Sequence, residues 1–136
     1  GVGDAVVAAI ASGAFAFIVV NFANCDMVGH TGSIPATIAA VEAADTQLGR
    51  VLEATRAVNG AAIVIADHGN AEEMIDPVTM GPMTSHTTNP VPCVIVNAGD
   101  LQLRDRAVLS SIAPTILDLL QLPIPDEMTT PSLPVS

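Results

Sequence analysis

The chain holds three histidines, and each has an oxygen-bearing side chain close by. His30 closes the run Asn24-Cys25-Asp26-Met27-Val28-Gly29-His30-Thr31-Gly32. His68 follows Asp67 inside Ala66-Asp67-His68-Gly69-Asn70, and His86 lies in Thr84-Ser85-His86-Thr87-Thr88. Asp26 and His30 are four residues apart, so one helical turn would place them on the same side, as two ligands of one metal. Two carboxylates and three imidazoles suffice for a divalent-metal site or part of a pair of sites. Mixed oxygen and nitrogen donors suit Zn, Mn or Co better than Ca. Taken singly, a loop histidine is more often a hydrogen-bonded surface residue than a ligand, and an aspartate at a strand end often caps a turn. The metal reading therefore rests on these five residues meeting in space.

The elements that must bring them together follow from the pattern of apolar residues. Asp4–Ser12 reads as a short helix stopped by Gly13. Phe15–Phe22 reads as a strand apolar on both faces, as in a central parallel strand. Asn24–Ser33 is a polar loop. A long helix runs from Pro35, suited to a first turn, to about Val58, with Asn59-Gly60 as its stop. Ala61–Ala66 is a second buried strand and Val91–Val96 a third, with Pro92 at its entry. Between them Asp67–Pro90 is a loop long enough to expect a function of it. Val108–Leu122 reads as a last helix, and residues 123–136 as a Pro-rich extended tail. The alternation predicts an α/β fold with a mostly parallel sheet flanked by helices, and ligands bind such sheets beyond the carboxyl ends of the strands. Asp67 and His68 fall at such an end. Asp45 projects into the stripe of Ile34, Ile38, Val41, Leu48 and Leu52 at helical spacing. A carboxylate buried there would need a partner, either a local hydroxyl or amide, or a ligating histidine that it orients.

Composition narrows the function classes. Among 136 residues half are hydrophobic and only 13% are charged, with a net charge of −10. The four cations are Arg50, Arg56, Arg104 and Arg106, and there is no lysine. Scattered arginines under that balance make no basic patch, and aromatic stacking platforms are lacking, so nucleic acid is not an expected partner. The uncharged stretch 5–25 is long enough for a membrane span but breaks at Ser12-Gly13 and ends in Asn21 and Asn24, which argues against one. Cys25 and Cys93 form no CxxC and read as reduced thiols of a cytoplasmic protein. Glu72 and Glu73 read as solvated. The chain opens on Gly1 rather than Met, as expected of a processed chain or a piece cut from something longer.

Three stretches carry a resemblance. Asn21 through Gly32, Ala66-Asp67-His68-Gly69-Asn70-Ala71-Glu72, and Ser85-His86-Thr87-Thr88-Asn89-Pro90-Val91-Pro92 are similar to the cofactor-independent phosphoglycerate mutases. Ile112–Leu120 resembles that family's last helix, and Glu127-Met128-Thr129 its tail. The first motif is the most specific, although Cys25 stands where many members have Pro or Gly. The Asp-His-Gly element is shared across the alkaline-phosphatase superfamily. The resemblance implies an alkaline-phosphatase-like fold and two divalent metals, commonly manganese. Asp26, His30 and His86 would be ligands of one, and Asp67 and His68 of the other. It implies an enzyme that interconverts 3-phosphoglycerate and 2-phosphoglycerate through a phosphoserine. The family's nucleophilic serine, a further aspartate, a supporting lysine and the arginine-bearing substrate domain all precede the matching region. Residues 1–136 thus resemble the C-terminal portion of the phosphatase domain, incomplete and expected to be inactive alone, with uncovered apolar surface where the preceding part would pack. Other readings are a different superfamily enzyme, such as a phosphopentomutase or phosphatase, and a non-catalytic metal-binding or structural fragment.

Overall fold

A computed structural model of the chain describes residues 1–135, which fall into two compact units, Gly1–Asn97 and Ala98 onward. In the first unit, α1 (Val2–Ser12) is built from Ala, Val and Ile. It ends where Gly13 takes a left-handed φ of 63°, a conformation that costs a side-chain-bearing residue about 1–2 kcal/mol. α2 (Asn24–Gly29) is a short helix in the segment expected to be loop. α3 (Ile34–Ala57) carries Pro35 in its first turn and ends before Asn59, which adopts a left-handed φ of 55°. Both α1 and α2 pack on α3. Gly3 of α1 lies so close to the Gln47 side chain that a Cβ would overlap it, and Arg50 ties the pair by donating to Asp4 Oδ1 at 2.6 Å.

The covered side of α3 bears Thr37, Ala40, Val51 and Thr55, all buried. Ile34, Ile38 and Val41, placed by their spacing on the core stripe, are exposed, and so is Asp45. The small residues Ala40 and Ala44 set the contact face. Asp45 lies one residue further on, roughly 100° around the helix, and faces solvent. Neither a buried partner nor an orienting role toward a histidine is available to it there.

β1 (Ala62–Ile65) and β2 (Cys93–Val96) form a two-stranded sheet, with Ala62 opposite Val96 and Ile65 opposite Cys93. The α/β class holds, but this pairing is antiparallel rather than parallel. A parallel return requires a crossover, usually a helix. The connection 66–92 carries prolines at 77, 82, 90 and 92 and forms neither helix nor strand, so the chain doubles back. Phe15–Phe22 forms no ladder with any described residue, and Phe15, Phe17 and Val19 are exposed. Ile34, Ile38 and Val41 on α3 are exposed as well. The expectation of uncovered apolar surface is met.

In the second unit a 3-10 turn, Leu109–Ser111, leads into α4 (Ile112–Leu119). The α-helical part is shorter than Val108–Leu122. Pro114, which has no N–H to give, sits in its first turn, and Gln121 turns left-handed at φ 56° ahead of Pro123. The Pro-rich tail is tied down: Leu133 N donates to Thr115 Oγ1 at 2.8 Å, and Val135 N to the Gln102 carbonyl at 2.8 Å. No described helix is long and apolar enough to cross a membrane.

Candidate metal centre

α2 places the first two candidates. Asp26 lies in its first turn and His30 caps its end, with the His30 N–H donating to the Asp26 carbonyl at 3.2 Å. The i,i+4 spacing brings the side chains together: Asp26 Oδ1 is 3.2 Å from His30 Nε2. Gly32, at φ 69°, then turns the chain into α3. Asp67 and His68 follow β1. The connection returns so that Gly69 and Thr87 form an antiparallel bridge, with Thr87 N donating to the Gly69 carbonyl at 2.9 Å. That bridge sets His86 beside His68, their rings stacked with centroids 3.7 Å apart.

The side chains of Asp26, His30, His68 and His86 gather in one cluster. His86 Nε2 is 3.1 Å from Asp26 Oδ1 and His68 Nε2 is 3.9 Å from it. His30 Nε2 and His86 Nε2 are 3.1 Å apart. Asp67 stands outside this convergence. Its side chain is three-quarters exposed, with a carboxylate oxygen 3.8 Å from His68 Nε2. His68 Nε2 thus lies between the Asp26 and Asp67 carboxylates, at nearly equal distances from both.

His30 Nδ1 lies 2.6 Å from the Thr84 carbonyl, which can only accept, so Nδ1 carries the hydrogen. In the neutral ring Nε2 then presents a lone pair toward a carboxylate oxygen and a second imidazole nitrogen. The Asn70 amide, 3.4 Å from the same nitrogen, and an N–H on His86 Nε2 can each donate to these acceptors, and a shared cation is a further way of satisfying them. One carboxylate and three imidazoles, one of them held in a fixed tautomer by a carbonyl behind it, are a donor set that a divalent transition metal fits. Burial pushes the Asp26 carboxyl up, but His30, the Asn70 amide, His86 and His68 together outweigh it. They hold Asp26 below the usual carboxylate range.

Two neighbours escaped the sequence reading. Asn70 is buried and donates from Nδ2 to Asp26 Oδ1 at 3.0 Å, while its own Oδ1 is buried with no hydrogen-bond partner among the described residues. Its place two residues after His68 was the available signal. Glu72, expected to be solvated, accepts the Thr87 hydroxyl and the Asn89 amide on one oxygen and the Asn70 N–H on the other. The Thr87 hydroxyl, aided by Asn89 and Asn70 against a smaller effect of burial, holds this carboxyl below its usual range.

The chain is 58% identical over 131 residues to a 2,3-bisphosphoglycerate-independent phosphoglycerate mutase of Rhodopseudomonas palustris, covering 96% of this chain and 26% of that protein. It is 53% identical over 135 residues to the enzyme of that name from Chloroflexus aggregans, covering 96% of this chain and 25% of that protein. It spans about a quarter of the length of the curated relatives it matches. Among solved structures it superposes on a Leishmania mexicana phosphoglycerate mutase crystallised at low cobalt concentration. The TM-score is 0.88 at 37% identity, covering 97% of this chain and 27% of that one. Residues 1–124 match the model of the metalloenzyme superfamily, and the chain belongs to that superfamily.

Proposed function

We propose that this chain is the metal-holding C-terminal part of the phosphatase domain of a phosphoglycerate mutase that needs no bisphosphoglycerate cofactor. Residues 123–136 form the closing tail of that part. The observation that carries the reading is the convergence of the His30, His68 and His86 side chains on the Asp26 carboxylate. The high identity to mutases along nearly the whole chain supports the substrate assignment. The whole enzyme, cytoplasmic, would interconvert 3-phosphoglycerate and 2-phosphoglycerate through a phosphoserine, with the serine, the lysine and the substrate-binding arginines supplied by preceding sequence. Two divalent ions, Mn2+ by preference, would be held, one by Asp26, His30 and His86 and the other by Asp67 and His68 with preceding residues. Such ions stabilise charge on phosphoryl oxygens and lower the pKa of a hydroxyl nucleophile.

The residues of this chain have defined parts in that scheme. Thr84 fixes the His30 tautomer, so that Nε2 is free to ligate. Asn70 holds the Asp26 carboxylate from behind. His86 and His68, stacked on each other, limit each other's rotation. Asp67, exposed and 3.8 Å from His68 Nε2, would bind with that nitrogen an ion completed by preceding residues.

Calorimetry with Mn2+ tests the metal centre. The chain should bind, and Asp26→Asn or His86→Ala should abolish the heat; unchanged heat in either variant would falsify the centre. The isolated 136 residues should not turn over 3-phosphoglycerate. Turnover by them that His30→Ala removes would overturn their placement as a part without nucleophile.

A further inference from the structure

The two loops that bear His68 and His86 meet at one carboxylate. Glu72 Oε2 accepts the Asn70 N–H at 2.6 Å, on the stretch that carries His68 and the Asn70 amide. Glu72 Oε1 accepts the Thr87 hydroxyl and the Asn89 amide, the latter at 3.1 Å, on the stretch that carries His86. The backbones join in the same place through the Gly69–Thr87 bridge. They approach so closely that a Cβ on Gly69 would overlap both Thr87 Oγ1 and Glu72 Oε1.

We infer that Glu72 is a positioning residue that clamps the His86 segment to the His68–Asn70 segment and so sets the ligand separation for a divalent cation. It touches none of the converging ligand atoms itself. Glu73, its neighbour, makes one contact with the same network, accepting from Asn89 at 3.1 Å. The clamp needs acceptors at both oxygens of residue 72. A glutamine there keeps the size but offers an N–H to one of the donors, and the network opens on one side. The inference rests on the metal-centre reading above, and its test separates the two.

The experiment is a titration of the 136-residue chain with Co2+, whose visible absorption reports ligand number and geometry. Amide exchange of the metal-free chain is followed alongside. Glu72→Gln should weaken Co2+ binding about 10–100-fold, the range for residues that orient metal ligands. It should also shift the visible band and accelerate exchange at the Thr87 N–H, while protection in the paired helices α1 and α3 stays as it was. Glu73→Gln removes the same charge from the same neighbourhood and should bind nearly as the unsubstituted chain does. Equal Co2+ affinity and spectrum in Glu72→Gln overturns the inference and leaves the metal centre standing. Equal damage from Glu73→Gln overturns it too, because charge and not positioning would then be the cause. Absence of Co2+ binding by the unsubstituted chain overturns the metal centre, and the role of Glu72 with it.

Discussion

Gly29 shows how narrowly the ligands are held at the scale of single residues. It is buried at the end of α2, and a Cβ there would overlap the amide oxygen of Asn70, with that amide's carbon at 3.0 Å. Gly29→Ala should therefore push Asn70 away from Asp26. Overpacking of this kind costs about 1–3 kcal/mol of stability. Mn2+ affinity should fall by about tenfold as Asp26 loses its support. A thermal melt and a calorimetric titration check the two effects separately, and an unchanged affinity would mean that Asn70 does not hold Asp26. The candidate pair Asp26 and His30 was legible in the sequence, because Asp-x-x-x-His spacing encodes geometry locally. Asn70 and Glu72 were not, because their partners, Asp26 and Thr87, lie far along the chain. Asp45 misled for a related reason. Periodicity identifies the apolar residues of a helix but not which part of that arc a neighbour covers.

At the scale of elements, propensity and tertiary contact can be told apart on α3. Gly49 sits inside this helix, exposed, with nothing near the position of a Cβ. Gly49→Ala should stabilise the chain by about 0.5–1 kcal/mol through the backbone alone. A rise in the midpoint of thermal unfolding checks it, and a fall would reveal a contact at this face. Helices and their stops were readable because Gly13, Pro35 and Asn59 act locally. α2 was missed, since six residues with a polar start carry too little periodicity to separate helix from loop. The strand direction was missed because pairing is decided by the connection. A polar, Pro-rich connection without a helix is compatible with doubling back, and this chain takes that course.

At the scale of the whole molecule, many large apolar side chains lie exposed. Phe15 is 62% exposed and Val19 77%, with Phe17, Ile34, Ile38 and Val41 also open to solvent. Such patches bind hydrophobic dyes and one another. Replacing Phe15 and Phe17 together by serine should lower dye fluorescence and self-association in sedimentation with little loss of thermal stability, since both residues are more than half exposed. A large drop in the unfolding temperature would show that they are packed after all. The high hydropathy of the sequence was visible from composition, but the location of the uncovered part was not, because a buried strand and an unpaired one have the same apolar pattern.

The bridge between Gly69 and Thr87 has a further consequence in terms of chain entropy. His30 and His86 are 56 residues apart in sequence. An ion gathering such ligands from an open coil would have to close every intervening loop itself, at a free energy that rises with the logarithm of loop length. Here the polypeptide closes the span from His68 to His86 by its own hydrogen bonds. α2 is likewise held against those loops by the His30–Thr84 and Asn70–Asp26 hydrogen bonds, so little of a cation's binding free energy would go into closing loops.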